Sequence, residues 1–158
     1  MTSEPVLHIV LVRPEIPQNT GSIARLAAAT RCRLHLVGPL GFSLEDRYLK
    51  RAGLDYWPLV DLVTYEGWQQ FMTSHADITA NYFSARAEHT YLQANYTRGA
   101  YLVFGSETKG LGRDFIAQRI NSSFRIPIFE PGVRSLNLSN AVSIVVYEGL
   151  RQMAPPQD

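Results

Sequence analysis

The sequence predicts an α/β fold: a mostly parallel sheet flanked by helices. Short apolar runs rich in β-branched residues, such as Leu7–Val12 and Tyr101–Phe104, are typical of buried strands. Segments with apolar residues at helical spacing lie between these runs, and the two kinds of segment alternate along almost the whole chain. Because ligands of such sheets bind beyond the carboxyl ends of the strands, we expect the chemistry in the loops that follow them.

The first half of the chain is predicted to form strand, helix, strand and helix over Leu7–Val12, Thr20–Thr30, Arg33–Val37 and Leu44–Ala52. Asn19 or Thr20 is expected to cap the first helix, and Gly53 to end the second. Tyr56–Val63 has strand character but is interrupted by Pro58, so its structure stays open at this point.

The second half is predicted to form a helix, two strands, a helix, a strand and a helix over Tyr65–Ser74, Ile78–Phe83, Tyr101–Phe104, Asp114–Ile120, Phe124–Ile128 and Leu138–Arg151. The proline inside Phe124–Ile128 indicates a strand that is short or lies at an edge. The last helix has the clearest apolar face, and Asn137 or Ser139 is expected to cap it. The length of 158 residues fits a single domain over residues 1–158.

Composition excludes several classes of protein. Cys32 is the one cysteine, so a disulfide scaffold is excluded and a reducing, cytoplasmic location is expected. The start of the chain lacks the pattern of a secretory signal, and no apolar run has membrane-spanning length, so no membrane partner is expected. No structural metal is expected either, because the four histidines are scattered and none lies at ligand spacing: His8, His35, His75 and His89.

The charge is distributed unevenly, although the net charge is only +1. The segment from Arg25 to Arg51 contains six basic residues and two acids, whereas the segment from Asp55 to Glu88 contains five acids and one arginine. A basic first third suits a polyanionic partner, but an ordinary solvated surface explains the charge equally well.

The loop after the first strand, PEIPQNTG at Pro14–Gly21, has an unusual composition. Two prolines fix its backbone, and Asn-Thr-Gly opens a helix whose free N–H groups suit an anion. Arg25 lies roughly opposite the apolar stripe of this helix. The loop is therefore either a capping segment with a solvent-facing arginine or a clamp for a phosphate or ribose.

A second unusual loop, FGSETKGL at Phe104–Leu111, directly follows an apolar strand. It is not a phosphate-binding P-loop, because Leu111 stands where that motif has lysine. Its glycines allow a ligand to approach the backbone closely. Glu107 can accept hydrogen bonds from a ligand or from a neighbouring loop, although a plain glycine-rich turn is also compatible.

The third unusual segment, EPGVRSLNLSNA at Glu130–Ala141, places two asparagines and two serines at the start of a very apolar helix. Capping explains one of them, and the others favour binding of a polar cofactor group. A Rossmann-type cofactor site has no support, because no G-x-G-x-x-G follows the first strand and no acid ends Leu34–Val37.

Taken in order, Pro14–Ala27, Phe104–Leu111 and Ile126–Glu148 resemble the three motifs of the SPOUT methyltransferases. Leu34–Phe42 and Arg51–Trp57 also match, so the resemblance covers most of the chain. It is strongest to members that use S-adenosylmethionine to methylate the ribose 2′-hydroxyl of the tRNA wobble nucleotide, position 34, a cytidine or uridine derivative. It further implies a homodimer that binds the tRNA anticodon stem-loop, and a deep trefoil knot over about residues 100–153, which periodicity does not predict.

The resemblance also assigns roles to residues. The expected S-adenosylmethionine contacts are Phe83, Gly105, Glu107, Ile126, Ser135, Leu136 and Asn140, and the expected catalytic residues are Asn19, Arg25, Ser135 and Asn137. Phe83-Ser84-Ala85-Arg86 departs from relatives that have threonine, a basic residue and glycine there. Because an arginine stays protonated, we expect Arg25 to stabilise the emerging alkoxide and not to act as a base.

The basic residues of the first third are candidates for tRNA phosphate contacts: Arg31, Arg33, Arg47, Lys50 and Arg51. Three alternatives remain open at this point. The enzyme can act on ribosomal RNA or on another tRNA position, or the chain can be a non-catalytic RNA-binding module with the same fold. A flavodoxin-like nucleotide-binding domain is the third alternative.

Overall fold

The computed structural model of the protein describes residues 4–153, apart from the side chains of residues 53 and 54. Seven strands of this part of the chain form one sheet: β1 (His8–Val12), β2 (Arg33–Val37), β3 (Asp61–Tyr65), β4 (Ala80–Phe83), β5 (His89–Thr90), β6 (Tyr101–Phe104) and β7 (Ser123–Arg125). Their order is β3-β2-β1-β6-β4-β7-β5, and each neighbouring pair is parallel. The predicted parallel α/β sheet is confirmed.

Within residues 4–153, five α-helices cover the two faces of the sheet: α1 (Pro17–Thr30), α2 (Arg47–Gly53), α3 (Trp68–Ser74), α4 (Arg113–Ala117) and α5 (Leu138–Met153). Alternate residues of β1 point to opposite faces, as in any strand. Ile9 belongs to the core cluster that contains Ile23 of α1 and Val142 of α5. Val10 belongs to the cluster that contains Phe71 of α3 and Ile116 of α4. The central strands of the sheet are therefore buried on both sides, which explains their apolar character.

The predicted start and cap of the first helix are wrong. The helix α1 begins at Pro17, its N-cap is Ile16, and no side chain caps it. Asn19 and Thr20 lie inside the helix instead. Proline suits the first helical position because its fixed φ is already helical and its missing N–H has no partner to lose there.

Several other boundaries differ from the predictions. The second helix starts at Arg47, because the Asp46 carboxylate accepts hydrogen bonds from the Tyr48 and Leu49 N–H groups and so ends the preceding loop. The ambiguous segment divides into a 3-10 helix over Leu54–Leu59 and the strand β3, which extends to Tyr65.

The elements of the second half are mostly shorter than predicted. The helix α3 starts at Trp68, β4 starts at Ala80, α4 ends at Ala117, and β7 ends before the proline of its predicted strand. The two-residue strand β5 was not predicted. The last helix is confirmed and extends to Met153. Within residues 4–153, no helix has the length and apolar character needed to cross a bilayer.

Candidate functional site

The three unusual loops converge at the carboxyl edge of the sheet. The strands β1, β6 and β4 are neighbours, and Phe104 at the end of β6 lies in register with Leu11 of β1 and with Phe83 at the end of β4. Because the strands are parallel, the loops after β1 and β6 leave the sheet side by side. The loop before α5 joins them through side-chain hydrogen bonds.

Glu107 joins the second loop to the first. One carboxylate oxygen accepts a hydrogen bond from the Glu15 N–H at 2.8 Å. The other accepts hydrogen bonds from the Ile16 N–H at 2.8 Å and from Asn19 Nδ2 at 3.2 Å. The carboxylate thus binds the two N–H groups that immediately precede α1 and the Asn19 amide in its first turn, near the helix end where a negative charge is favoured.

Glu15 of the first loop in turn binds the second loop. Its Oε1 accepts hydrogen bonds from the Thr108 N–H at 2.9 Å and from the Thr108 hydroxyl at 2.7 Å. These hydrogen bonds to the charged form hold the pKa of Glu15 below its usual value. Sequence analysis missed Glu15 and Thr108 as site residues, and their positions inside the two motifs were the only available signal.

Asn137 connects the third loop to this arrangement. Its Nδ2 donates to Asn19 Oδ1 at 3.1 Å, and its Oδ1 accepts from the N–H groups of Ser139 and Asn140 at 2.9 and 3.2 Å. The second contact caps α5, which confirms Asn137 as the predicted cap. Asn19 is buried and binds both of the other residues. A continuous chain of hydrogen bonds therefore crosses all three loops through Glu107, Asn19 and Asn137.

A cavity of about 740 Å³ lies beside this chain of hydrogen bonds. Six of the seven predicted cofactor contacts line it: Phe83, Gly105, Glu107, Ile126, Ser135 and Leu136. Asn140 is not part of the lining, and its N–H is directed to Asn137. Phe83 stacks on Phe104 with ring centroids 5.0 Å apart, which gives the cavity a rigid aromatic wall.

Gly105 is required by the close return of the second loop. A Cβ at this position would lie 2.0 Å from the Gly110 carbonyl carbon and 2.3 Å from the Leu111 nitrogen. The loop closes through a bridge between Ser106 and Gly110, and Gly110 itself has a φ of +61°. The absence of a side chain at Gly105 therefore allows backbone to form this part of the cavity wall.

The predicted catalytic residues divide into two groups. Asn19 and Asn137 are hydrogen-bonded to each other, and Ser135 lines the cavity. Arg25 does not line the cavity, and its guanidinium carbon lies 4.7 Å from the centroid of the Tyr56 ring. This cation–π contact holds the exposed arginine against the segment that follows α2.

Most of the predicted phosphate contacts have partners within the protein. Arg33 pairs with Asp61 at 2.9 Å, and Lys50 pairs with Glu45 at 2.9 Å. Arg47 stacks over the ring of Tyr48 at 4.8 Å. Arg31 is the left-handed C-cap of α1 and, with Arg33, lies at the amino edge of the sheet, away from the cavity. The basic run therefore does not form one surface.

Comparison with known proteins gives a consistent result. Residues 6–147 match the SpoU rRNA Methylase family. The chain is 44% identical over 154 residues to a tRNA (cytidine(34)-2'-O)-methyltransferase of Polaromonas sp., covering 93% of this chain and 91% of that protein. It is 44% identical over 149 residues to the protein of the same name from Saccharophagus degradans, covering 94% and 96% of the two chains.

Solved structures agree with these relatives. One described as "Structural insights into the 2-OH methylation of C/U34 on tRNA" has a TM-score of 0.86 and 46% identity, covering 92% of this chain and 95% of that chain. The SpoU methyltransferase AviRb from Streptomyces viridochromogenes, solved with AdoMet, has a TM-score of 0.81 and 23% identity, covering 95% and 61%, which shows the shared fold. The extent of the family match and the identity to these relatives establish that this chain belongs to the SpoU rRNA Methylase family.

Proposed function

We propose that the protein transfers a methyl group from S-adenosylmethionine to the ribose 2′-hydroxyl of the wobble nucleotide of tRNA, position 34, a cytidine or uridine derivative. The observation that carries this proposal is the hydrogen-bonded meeting of three loops beside a cavity of about 740 Å³. Relatives named for cytidine-34 2'-O-methylation, 44% identical over nearly the whole chain, support the substrate.

The lining of the cavity suits S-adenosylmethionine. Phe83, Ile126 and Leu136 offer apolar surface for an adenine ring, whereas Gly105 and Ser135 bring backbone and hydroxyl groups for its polar parts. The volume accommodates a nucleoside with an amino-acid tail. Bound there, S-adenosylmethionine supplies an electrophilic methyl group on a sulfonium.

The side chains of this chain then act on the ribose. Arg25 orients the 2′-hydroxyl and stabilises the negative charge that develops on its oxygen. The guanidinium stays protonated, so an RNA phosphate or a water molecule accepts the proton. Asn19 and Asn137 hold the loops in place through their mutual hydrogen bond, and Ser135 lies at the cavity wall within the same segment.

We further propose that the enzyme is a homodimer. Large apolar side chains are exposed on α5 and on the loop before it, and surfaces of this kind mark interfaces: Phe129 at 92%, Val133 at 46%, Ile144 at 38% and Tyr147 at 55%. Arg25 does not line the cavity of its own chain. In a dimer, a tRNA that lies across both subunits brings a ribose within reach of this residue. A Tyr147→Asp variant is expected to sediment as a monomer in analytical ultracentrifugation.

We propose a single cytoplasmic domain over residues 1–158 in which the segment from about residue 100 to residue 153 forms a deep trefoil knot. That segment contains β6, α4, β7 and α5.

The decisive experiment combines two assays. Purified protein with radiolabelled S-adenosylmethionine should methylate an anticodon stem-loop RNA, and the same RNA with a 2′-deoxy sugar at position 34 should remain unlabelled. Nucleoside mass spectrometry of tRNA from cells lacking the protein should show loss of one 2′-O-methylated wobble nucleoside. Label in ribosomal RNA or at another tRNA position would replace the proposed substrate, and RNA binding without transfer would indicate a non-catalytic module.

A further inference from the structure

Four basic side chains that line the cavity are also exposed, so they lie where the cavity meets the solvent. They come from four different segments, and each is exposed: Arg86 after β4, Lys109 in the loop after β6, Arg113 at the start of α4 and Arg134 in the loop before α5. We call them the mouth cations. Lys109 and Arg113 are close in the sequence, but Arg86 and Arg134 are distant from them, and only the fold brings all four to one surface.

The mouth cations carry charge that the described chain does not neutralise. The three ion pairs within residues 4–153 are Arg33–Asp61, Lys50–Glu45 and Arg151–Glu148, and none involves a mouth cation. Two acids also line the cavity, Glu88 and Glu107. The four positive charges therefore exceed the two negative charges of the lining, and the Glu107 carboxylate is directed to the donors of the first loop.

We propose that the mouth cations bind the RNA phosphates on either side of the nucleotide being methylated. This inference rests on the proposed function, because it takes the occupant of the cavity mouth to be single-stranded RNA. A nucleotide whose ribose enters the cavity carries one phosphodiester on each side, so its backbone must cross the rim where these cations lie. Exposed, flexible basic side chains suit such phosphates, which sit at variable positions in a loop.

The mouth cations replace the basic run as the principal phosphate surface. Arg33 and Lys50 would have to leave their carboxylate partners before binding RNA, and Arg47 would have to leave the Tyr48 ring. Arg86 and Arg113 have no such partner within residues 4–153, and they border the cavity where the substrate must enter. The location of a basic residue beside the cavity therefore identifies it as a phosphate contact, and the clustering of basic residues along the sequence does not.

The test measures how RNA affinity depends on salt. Arg86→Ala, Arg113→Ala and the double variant are titrated with the anticodon stem-loop RNA at several salt concentrations. Each lost contact with single-stranded RNA should lower the slope of log K against log[salt] by about 0.7, which corresponds to about fivefold weaker binding at 0.1 M salt. Arg113→Lys keeps the charge and should keep the wild-type slope. Because Arg86 and Arg113 also line the cavity, calorimetry with S-adenosylmethionine measures any change in cofactor affinity separately from the change in the salt slope of RNA binding.

The matched control is Arg98→Ala. Arg98 is exposed and precedes the amino end of β6, so this variant removes the same charge from the opposite edge of the sheet. Its slope should equal that of wild type. An unchanged slope in the Arg86 and Arg113 variants, or an equal reduction in Arg98→Ala, would overturn the proposal, as would a reduction confined to Arg47→Ala and Lys50→Ala. Wild-type protein that binds RNA with the expected slope but transfers no methyl group would overturn the proposed function alone.

Discussion

Two polar networks lie in different parts of this molecule, and their contrast separates function from stability. The loop network consists of Glu15, Asn19, Glu107, Thr108 and Asn137 and borders the cavity. The histidine network lies on the face of the sheet covered by α3. In it His8 Nδ1 is 2.8 Å from His35 Nε2, His35 Nδ1 is 2.8 Å from the Tyr65 hydroxyl, and that hydroxyl is 3.5 Å from His75 Nε2.

A single choice of histidine tautomers gives each hydrogen bond of the histidine network one donor and one acceptor. If each histidine carries its proton on Nδ1, His8 donates to His35, His35 donates to Tyr65, Tyr65 donates to His75, and His75 donates to the Phe71 carbonyl. A second proton on His35 would place two N–H groups face to face. Burial, with the nearby charges, accordingly lowers the pKa of His8 to about 4 and that of His35 to about 3.

The contrast teaches what a polar cluster must have to be functional. In the histidine network the polar atoms find partners inside the protein, and its members do not line the cavity. The loop network joins segments 88 to 118 residues apart at the sheet edge where ligands of parallel sheets bind. Changes in the loop network or beside it should therefore affect activity, whereas changes in the histidine network should affect stability.

The largest expected effect is that of Arg25→Ala. Loss of the guanidinium removes the charge that stabilises the emerging alkoxide, so kcat should fall by about 10²–10³-fold. Binding of S-adenosylmethionine, measured by calorimetry, should be unchanged because Arg25 does not line the cavity. Arg98→Ala is the charge-matched control. Wild-type turnover in Arg25→Ala would remove this residue from the chemistry.

Glu107→Gln should have the next largest effect. The amide has nearly the same shape, but its NH₂ group would face the N–H donors of the first loop. Loss of a hydrogen bond to a charged group costs about 1.5–3 kcal/mol, so methyl transfer should fall by about 10- to 100-fold. Urea unfolding should show a loss of stability of up to the same size, because these hydrogen bonds are present in the folded protein without substrate, so transfer is compared under conditions where the variant is folded. Glu66→Gln, an exposed acid after β3, is the control, and equal losses in both variants would contradict the role of Glu107.

The sequence was sufficient for the main architecture and for the three loops. The apolar pattern predicted β2 and β6 with their observed boundaries, since strands buried on both faces of a sheet consist mostly of apolar residues. The loops were recognisable because chemistry at the carboxyl edge concentrates glycine, asparagine and carboxylate residues there. Asn137 was also predictable as a cap, since capping is a local interaction.

What the sequence did not reveal depends on contacts between distant segments. The histidines are scattered along the sequence, yet the register of β1 with β2 brings His8 and His35 together across 27 residues. The start of α1 was misassigned because Asn19 and Thr20 resemble a cap, although Pro17 already suits the first helical turn. The sequence likewise did not show that Arg33 and Lys50 pair with Asp61 and Glu45. These ion pairs contradict the interpretation of the basic run as one free surface for phosphates.

Acid should destabilise the protein through the histidine network. The unfolded chain takes up protons at the usual histidine pKa of 6.5, whereas His8 and His35 in the folded chain resist protonation down to about 4 and about 3. The unfolded state therefore binds more protons below pH 6.5, and the free energy of unfolding should fall there by at most about 1.4 kcal/mol per pH unit for each histidine.

His35→Gln tests this pH dependence, because glutamine keeps hydrogen-bonding groups but does not titrate. The variant should lose about 1–3 kcal/mol at pH 7, from imperfect partners, yet show a shallower decline between pH 6.5 and pH 4.5 in urea unfolding. Its methyl transfer at pH 7 should match wild type under conditions where it is folded. A decline as steep as that of wild type would mean that other groups cause the acid sensitivity.

The smallest expected effect links Arg25 to its aromatic partner. Tyr56→Leu removes the ring under the guanidinium, and an exposed cation–π contact contributes about 0.5–1 kcal/mol, so kcat should fall by about two- to fivefold with little change in KM. Tyr56→Phe keeps a ring and should retain wild-type turnover. In the Arg25→Ala background, Tyr56→Leu should have no further effect on residual activity, because the contact is already lost. Full additivity of the two changes would show that Tyr56 acts independently of Arg25.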